Sequence, residues 1–212
     1  MAKRPRQRAR HLRPTKAFDT VLCFTVTLEQ IEPPIWRRIE IPATYDFWGL
    51  HVAIQDAMGW LDYHLHEFEL GDPSTGEVVR VGIPDDEFPD ERPMAPGWAL
   101  SVAPYFREPG VTARYVYDFG DGWVHRVTFE GQSPRVPGTE YPRCVGGARR
   151  CPPEDCGGIG GFEEFLAAIA DPRHEEHEAM LTWAGGAYDP DKFDPATIRF
   201  ADPAKRLRMA RE

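Results

Sequence analysis

The stretch Tyr115–His125 holds two titratable side chains that a tight turn would bring together. Alternating aromatic residues lead to Asp121-Gly122, a dipeptide typical of two-residue hairpin loops. With that loop, Asp118 faces His125 across the hairpin, beside Trp123, with Cβ atoms about 5 Å apart. A carboxylate next to an imidazole raises the pKa of the histidine and fixes its tautomer, so the pair would orient a general base or a metal ligand. The alternative is a structural hydrogen bond that pins the turn.

Three cysteines lie on a Pro- and Gly-rich segment without periodicity, spaced Cys144-x6-Cys151-x4-Cys156. Zinc sites usually separate paired cysteines by two to four residues, so this spacing departs from the standard signature. Zinc is nevertheless the cofactor that the residue types suggest, with Cys144 and Cys151 as ligands and an imidazole from His64 or His125 completing the site. The alternative is a set of packed thiols without metal.

Two further groups of residues suit acid–base or metal chemistry. Glu154 and Asp155 follow Pro152-Pro153, and adjacent carboxylates on a stiff loop coordinate a hard cation or exchange protons; alternatively they cap the next helix. His64 and His66 stand two residues apart in an alternating segment, so on a strand they share one face and can hold one metal. The candidate catalytic residues are Asp118, His125, Glu154 and Asp155. The predicted ligand pocket consists of Trp60, His64, Asp118, Trp123 and His125.

The hydrophobic pattern outlines the elements that must position these groups. Helical spacing predicts one helix from an Asp46 cap to Met58, ended by Gly59, and two later helices. Alternation predicts strands before and after the first helix. The predicted strands are Thr20–Ile31, Ile35–Ile41, His64–Leu70 and Val78–Val81, and the later helices are Phe162–Ala170 and Glu175–Trp183. This order indicates an α+β fold, a mostly antiparallel sheet with helices packed on one side.

Charge is divided unevenly along the chain. Residues 1–16 carry seven Lys or Arg and no acid, and subtracting them from the net charge of −9 leaves −16 for residues 17–212. An acidic body repels phosphate backbones, so nucleic acid is expected to bind only through residues 1–16. The predicted organisation is a disordered basic arm at 1–17, one domain at 18–195 and a fraying C-terminal tail at 196–212.

Location follows from what the chain lacks. No apolar run reaches the roughly 18 residues that a membrane helix needs, and the basic N-terminus has no apolar segment of a secretory signal. The four cysteines therefore indicate a reducing compartment, and a cytoplasmic location without membrane contact is expected.

Six blocks of sequence together resemble one family, and they cover about Thr20 to Phe193. The blocks are I-E-P-P-I-W-R-R-I (31–39), L-H-V-A-I-Q-D-A-M-G-W (50–60), H-L-H-E-F (64–68), Y-D-F-G-D-G-W-V-H (117–125), Y-P-R-C (141–144) and C-P-P-E-D-C-G-G-I-G-G-F (151–162). The chain is similar to the plasmid pRiA4b Orf-3-like proteins. The resemblance implies an α+β fold and association with plasmids or mobile elements, without an assigned activity. His66 and Cys156 depart from the family pattern, which leaves His64, Cys144 and Cys151 as the better metal ligands.

Three functional hypotheses remain, and the sequence does not decide whether the protein is an enzyme. The first is a module that binds a protein partner or small ligand in the His/Asp/Trp pocket. The second is a metal-dependent hydrolase that uses the same groups. The third is a DNA-associated accessory protein of a mobile element, acting through the basic arm.

Overall fold

An eight-stranded sheet organises the part of the chain that the computed structural model describes, residues 17–84 and 93–210. The strands are β1 (Thr20–Leu28), β2 (Ile35–Pro42), β3 (His66–Gly71), β4 (Val78–Gly82), β5 (Met94–Pro96), β6 (Thr112–Tyr117), β7 (Trp123–Pro134) and β8 (Arg143–Ala148). The α-helices of these residues are α1 (Phe47–Met58), α2 (Gly158–Ala170), α3 (His177–Trp183) and α4 (Pro203–Ala210). The spatial order of the strands is β5-β4-β3-β6-β7-β1-β2-β8. Neighbouring strands run antiparallel except β4 and β5, which are parallel.

One face of the sheet is buried, as the period-2 pattern of the sequence requires. Along β1, Leu22, Phe24, Val26 and Leu28 are buried and alternate with half-exposed residues. Buried side chains of α1 and α2 join them in one hydrophobic cluster. The predicted class, α+β with a mostly antiparallel sheet, is therefore confirmed.

Helix α1 begins and ends where local signals in the sequence predict. The Asp46 carboxylate accepts a hydrogen bond from the Gly49 N–H at 2.8 Å, which satisfies one free donor of the first turn. Gly59 adopts a left-handed conformation, with φ of 91°, and its N–H donates to the Gln55 carbonyl. Glycine meets no steric penalty there, so the chain leaves the helix and turns towards β3.

The hairpin between β6 and β7 differs from the predicted one. Tyr117 pairs with Trp123 and Tyr115 pairs with His125, so the loop has five residues, 118–122, rather than two. The loop closes through Asp118, which has φ of 56° and accepts a 2.6 Å hydrogen bond from the Gly122 N–H on its carbonyl. The predicted contact between Asp118 and His125 is wrong, because the longer loop moves Asp118 out of the paired strands.

The Pro- and Gly-rich segment that carries the three cysteines, residues 132–161, has regular structure despite its lack of periodicity: it contains part of β7, the edge strand β8 and the start of α2. Helix α2 begins against the 118–122 loop: the Asp121 carboxylate accepts a 3.1 Å hydrogen bond from the Gly157 N–H. A Cβ atom at Gly158 would lie 2.6 Å from the Asp121 carbonyl oxygen, so only glycine permits this approach. The loop after β6 and the start of α2 are therefore one packed unit.

The C-terminal segment is anchored, contrary to the predicted fraying tail. Helix α4 and the residues just before it dock on α1: Asp56 accepts hydrogen bonds from the Ala201 N–H at 2.7 Å and from Arg206 at 2.8 Å. The Trp48 indole N–H donates to the Pro203 carbonyl at 2.9 Å. The basic arm predicted at the N-terminus lies outside the described residues except for Ala17. None of the helices in the described part of the chain combines the length and apolarity needed to cross a bilayer.

Candidate functional site

Three side chains of metal-ligand type converge from distant parts of the chain. His64 precedes β3, Asp118 follows β6 and Asp155 precedes α2. The His64 Nε2 atom lies 2.9 Å from Asp155 Oδ1 and 3.6 Å from Asp118 Oδ2. The three ligand atoms lie within 4.8 Å of one another, the one such group among the described residues. Asp118 is buried whereas Asp155 is exposed, so the cluster opens to solvent on the Asp155 side.

Asp118 is fixed by the turn to which it belongs. Its N–H donates to the Leu65 carbonyl at 3.0 Å, which joins the loop to the segment carrying His64. Its Oδ1 atom accepts the N–H groups of Gly120 at 2.9 Å and Asp121 at 3.3 Å. Aspartate tolerates the left-handed conformation because its short side chain bonds to the local backbone. The remaining oxygen, Oδ2, is the one that faces His64.

Glu154 lies beside the cluster and is held by two donors. The Leu61 N–H donates to it at 2.6 Å and the Tyr117 hydroxyl at 3.1 Å. Burial raises the pKa of the Glu154 carboxyl above its ordinary value. Burial, and secondarily the Glu154 charge, raises the pKa of the Tyr117 phenol, so that hydroxyl stays protonated and donates. Tyr117 in turn accepts the Tyr63 N–H at 3.0 Å, which ties the two loops together.

A packed aromatic wall stands behind Tyr117. The Trp60 ring stacks on Tyr117 with centroids 5.1 Å apart, and its N–H donates to the Pro152 carbonyl at 2.9 Å. Trp123 and His125 lie next to Trp60 at centroid distances of 6.1 and 5.2 Å. Trp60, Trp123 and His125 are buried. Of the predicted pocket, His64 and Asp118 therefore meet, and the other three residues form the wall behind them.

His125 has the chemistry of a core residue. It is fully buried, and neither ring nitrogen makes a hydrogen bond of normal geometry with the described residues. Burial lowers its pKa to about 3, and the backbone at Tyr115 and Trp123 offsets only part of that shift. The imidazole is therefore neutral near neutral pH and does not act as the general base predicted beside Asp118.

The cysteines do not form the expected zinc site. The Cys151 sulfur is buried 3.2 Å from the Met58 sulfur, and the Cys144 thiol donates to the Gly146 carbonyl at 3.2 Å. Burial raises the pKa of Cys151 to about 11 and that of Cys156 to about 12, which disfavours the thiolates that zinc binds. No cysteine joins a group of three metal-type ligands within residues 17–84 and 93–210. Cys144, Cys151, His64 and His125 are thus not one ligand set, and packed thiols describe these cysteines.

His66 is separated from His64 because β3 starts at His66 and His64 lies in a bend before it. The His66 ring is buried and stacks on His51, with centroids 3.4 Å apart and planes 7° from parallel. The His51 nitrogens lie 2.8 Å from the Tyr115 hydroxyl and from Asp62. Burial holds the pKa values of both histidines well below the ordinary range. This buried polar network belongs to the core.

Sequence reasoning placed His64 and Asp118 in one pocket but missed that Asp155 joins them, and it missed the role of Tyr117. Asp155 stood with Asp118 only among the catalytic candidates, since local patterns do not show which loops meet. Tyr117 carried one usable signal: it lies in the strand that leads to the predicted turn, where strand side chains reach a loop cluster.

Comparison with known proteins identifies the relatives of this chain. The family model described as plasmid pRiA4b ORF-3-like protein matches residues 20–197. The chain is 38% identical over 189 residues to the uncharacterized protein y4hQ of Sinorhizobium fredii, covering 89% of this chain and 91% of y4hQ. It is also similar to the crystal structure of the protein of unknown function MM3350 from Methanosarcina mazei Go1, with a TM-score of 0.79 and 41% identity. That match covers 87% of this chain and 100% of the other.

These relatives show the family without naming an activity. Both similarities extend over most of the chain, and the matched residues include every element from β1 to α3. The chain therefore belongs to the plasmid pRiA4b ORF-3-like family.

Proposed function

We propose that this protein is a ligand-binding module whose ligand is a divalent transition-metal ion, held by His64, Asp118 and Asp155. The observation that carries the proposal is the convergence of one imidazole nitrogen and two carboxylate oxygens within 4.8 Å. Imidazole and carboxylate ligands suit zinc, manganese and iron. Two carboxylates this close repel each other, and a cation between them removes that repulsion.

The surroundings of the three side chains support preorganisation. Asp118 is buried, and backbone N–H groups hold its Oδ1 atom while Oδ2 faces His64. Such outer hydrogen bonds are typical of a carboxylate that binds a metal. Asp155 lies on the loop that Trp60 anchors through the Pro152 carbonyl. Because three protein ligands leave further positions on the metal free, water or a substrate atom completes the coordination.

Equilibrium binding of Zn²⁺ and Mn²⁺ to the EDTA-treated protein tests the proposal. We expect one site per chain and a loss of affinity of at least tenfold in Asp118→Asn and Asp155→Asn. Asparagine at 118 keeps an oxygen for the Gly120 N–H, so the turn is retained while the charged ligand is lost. Asp121→Asn is the matched control: it removes a neighbouring carboxylate outside the group. Equal binding by Asp118→Asn, Asp155→Asn and the unmodified protein contradicts the proposal.

A metal-dependent hydrolase is the second candidate, and the position of Glu154 favours it. Glu154 neighbours the proposed metal ligand Asp155 in sequence and is oriented by Tyr117. A carboxylate in that place would accept the proton of a metal-bound water as it attacks a substrate. Hydrolysis of a nitrophenyl ester or phosphate that requires added metal is the expected result. Glu154→Gln should lose at least 100-fold in rate and keep metal binding; unchanged turnover in that variant rejects the role.

The basic arm supports a DNA-associated role in a mobile element as a third proposal. Its seven positive charges and absence of acids are the observation that favours it. Association with a protein partner and a cytoplasmic location likewise remain proposals from the sequence. We expect nucleic acid to co-purify with the full chain but not with a protein that consists of residues 17–212 and lacks the arm.

A further inference from the structure

Glu154 also lines a cleft of about 520 Å³. It is formed by the C-terminal end of α1, the 150–154 loop and the 184–199 segment. None of His64, Asp118 and Asp155 lines it. Its volume is in the range of small-molecule sites, and its walls combine apolar side chains such as Met58 and Phe193 with charged ones.

A buried guanidinium without a carboxylate partner lies in this cleft. Arg37 is 3% exposed and donates to the carbonyls of Trp36, Ala57, Ala148 and Arg149 at 2.8–2.9 Å. These hydrogen bonds satisfy its donors, and the end of α1 at Ala57 supplies part of a negative charge. No carboxylate in the described part of the chain forms an ion pair with it, so much of its positive charge stays uncompensated in a region of low dielectric.

Three further cations line the same cleft without carboxylate partners among the described residues. Arg150 lies over the Tyr188 ring at 4.5 Å and donates to the Ala187 carbonyl. Arg199 donates to two carbonyls of its own turn. Lys192 is exposed and its ammonium makes no hydrogen bond within residues 17–84 and 93–210. Four positive side chains thus face one cavity in a body whose net charge is −16.

The three acidic side chains that line the cleft form hydrogen bonds or ion pairs with groups that do not line it. Asp56 forms a 2.8 Å ion pair with Arg206, and Asp194 accepts the Ala196 N–H at 2.9 Å. Glu154 accepts the Leu61 N–H and the Tyr117 hydroxyl, as described above. Only Asp56 has a cationic partner; Asp194 and Glu154 accept from neutral donors. Four cations therefore stand against two carboxylates without an ion pair, and this excess of positive charge favours anions in the cleft.

We propose that this cleft binds a small organic oxyanion, a phosphate ester or a carboxylate. The guanidinium groups of Arg150 and Arg199 match the planar geometry of such oxyanions, and a lysine adds a mobile point charge. Arg37, whose donors are already satisfied, contributes positive charge only. The apolar walls suit the carbon skeleton of the ligand rather than a bare inorganic ion. The site contains none of the proposed metal ligands and shares only Trp60 and Glu154 with their surroundings.

Titration of the full-length protein with phenyl phosphate, benzoate and inorganic phosphate tests this proposal, with intrinsic tryptophan fluorescence and calorimetry as readouts at constant ionic strength. Saturable binding of phenyl phosphate or benzoate is expected, tighter than that of inorganic phosphate. The Lys192→Gln and Arg199→Gln proteins should each bind about tenfold more weakly, the factor that corresponds to about 1.4 kcal/mol. Both positions are exposed, so these variants should fold.

Lys205→Gln is the matched control, because it removes one exposed positive charge outside the cleft. Unchanged binding in this control supports a local site, and an equal loss in all three variants overturns it. Binding that persists in EDTA supports the cleft; binding abolished by EDTA assigns the anion to the metal and overturns the proposal. Absence of saturable binding by all three anions also overturns it, whether or not the metal centre is found.

Discussion

Acid should destabilise this protein through His125 before its carboxylates titrate. The unfolded chain binds a proton on His125 near the ordinary pKa of 6.5, whereas the folded chain does not until about pH 3. Above pH 6.5 His125 is neutral in both states and does not change the free energy of unfolding. Below pH 6.5, and down to about pH 3, it lowers the free energy of unfolding by about 1.4 kcal/mol per pH unit. At pH 5 His125 alone lowers the free energy of unfolding by about 2 kcal/mol, a substantial share of the total of about 5–15 kcal/mol that is typical of folded proteins.

The assay is urea unfolding followed by tryptophan fluorescence at pH 5, 6, 7 and 8, in EDTA to exclude metal binding. His51 and His66 shift in the same direction, because burial lowers both pKa values. Asp62, whose pKa burial raises, contributes in the opposite direction at lower pH. The difference between the unmodified protein and His125→Leu isolates the His125 contribution.

Leucine suits position 125 because the imidazole there is fully buried without hydrogen bonds of normal geometry. We expect the free energy of unfolding of His125→Leu to fall less between pH 7 and pH 5, by about 2 kcal/mol. An identical pH dependence in both proteins would refute the inference that His125 is buried in neutral form.

Two further predictions concern the elements that hold the site, and a third concerns nucleic acid. Gly158→Ala should lower the free energy of unfolding by about 2 kcal/mol or more, because φ is 68° there and the new Cβ meets the Asp121 carbonyl; Gly160→Ala, with open space around it in the same helix, is the control and should not lower the free energy of unfolding in the same urea titration. Tyr117→Phe should cost about 1–2 kcal/mol in urea titration, because it removes the hydroxyl shared by the Glu154 and Tyr63 loops; a cost below about 0.3 kcal/mol would show that these bonds contribute nothing. Residues 17–212 should not bind duplex DNA in gel shifts at physiological salt, and tight binding would refute the charge argument.

Elements specified by neighbouring residues were predictable, and α1 is the clearest case. Its start at Asp46 and its end at Gly59 depend on hydrogen bonds within four residues of each cap. The strands β1 and β2 likewise followed from alternation of buried side chains. Helix caps and hydrophobic alternation depend only on residues close together in the chain, so a short stretch of sequence is enough to predict them.

The hairpin loop was mispredicted because the sequence of residues 118–122 is compatible with two different turns. Asp121-Gly122 is a good two-residue loop, but the left-handed conformation of Asp118 and its bonds to Gly120 and Gly122 give a five-residue loop instead. The register of β7 against β1, from Leu28 opposite His125, fits this longer loop. Packing on a neighbouring strand therefore outweighed the local turn preference.

The edge strand β8 and the site itself depend on the tertiary fold. Its sequence, R-C-V-G-G-A, has little alternation, and it pairs with β2 where Gly147 passes close to the Phe193 ring. His64 and Asp155 are 91 residues apart in sequence and meet because the Asp118 loop packs on both of their segments. His64, Asp118 and Asp155 were each recognisable as possible metal ligands, but the sequence did not show that all three meet.

Anomalous scattering from a crystal of the protein grown with Zn²⁺ or Mn²⁺ would locate the metal. We expect one strong peak about 2.0–2.3 Å from His64 Nε2, Asp118 Oδ2 and Asp155 Oδ1. A peak at Cys144 or Cys151 instead, or no peak at this position at saturating metal, would contradict the proposed metal site.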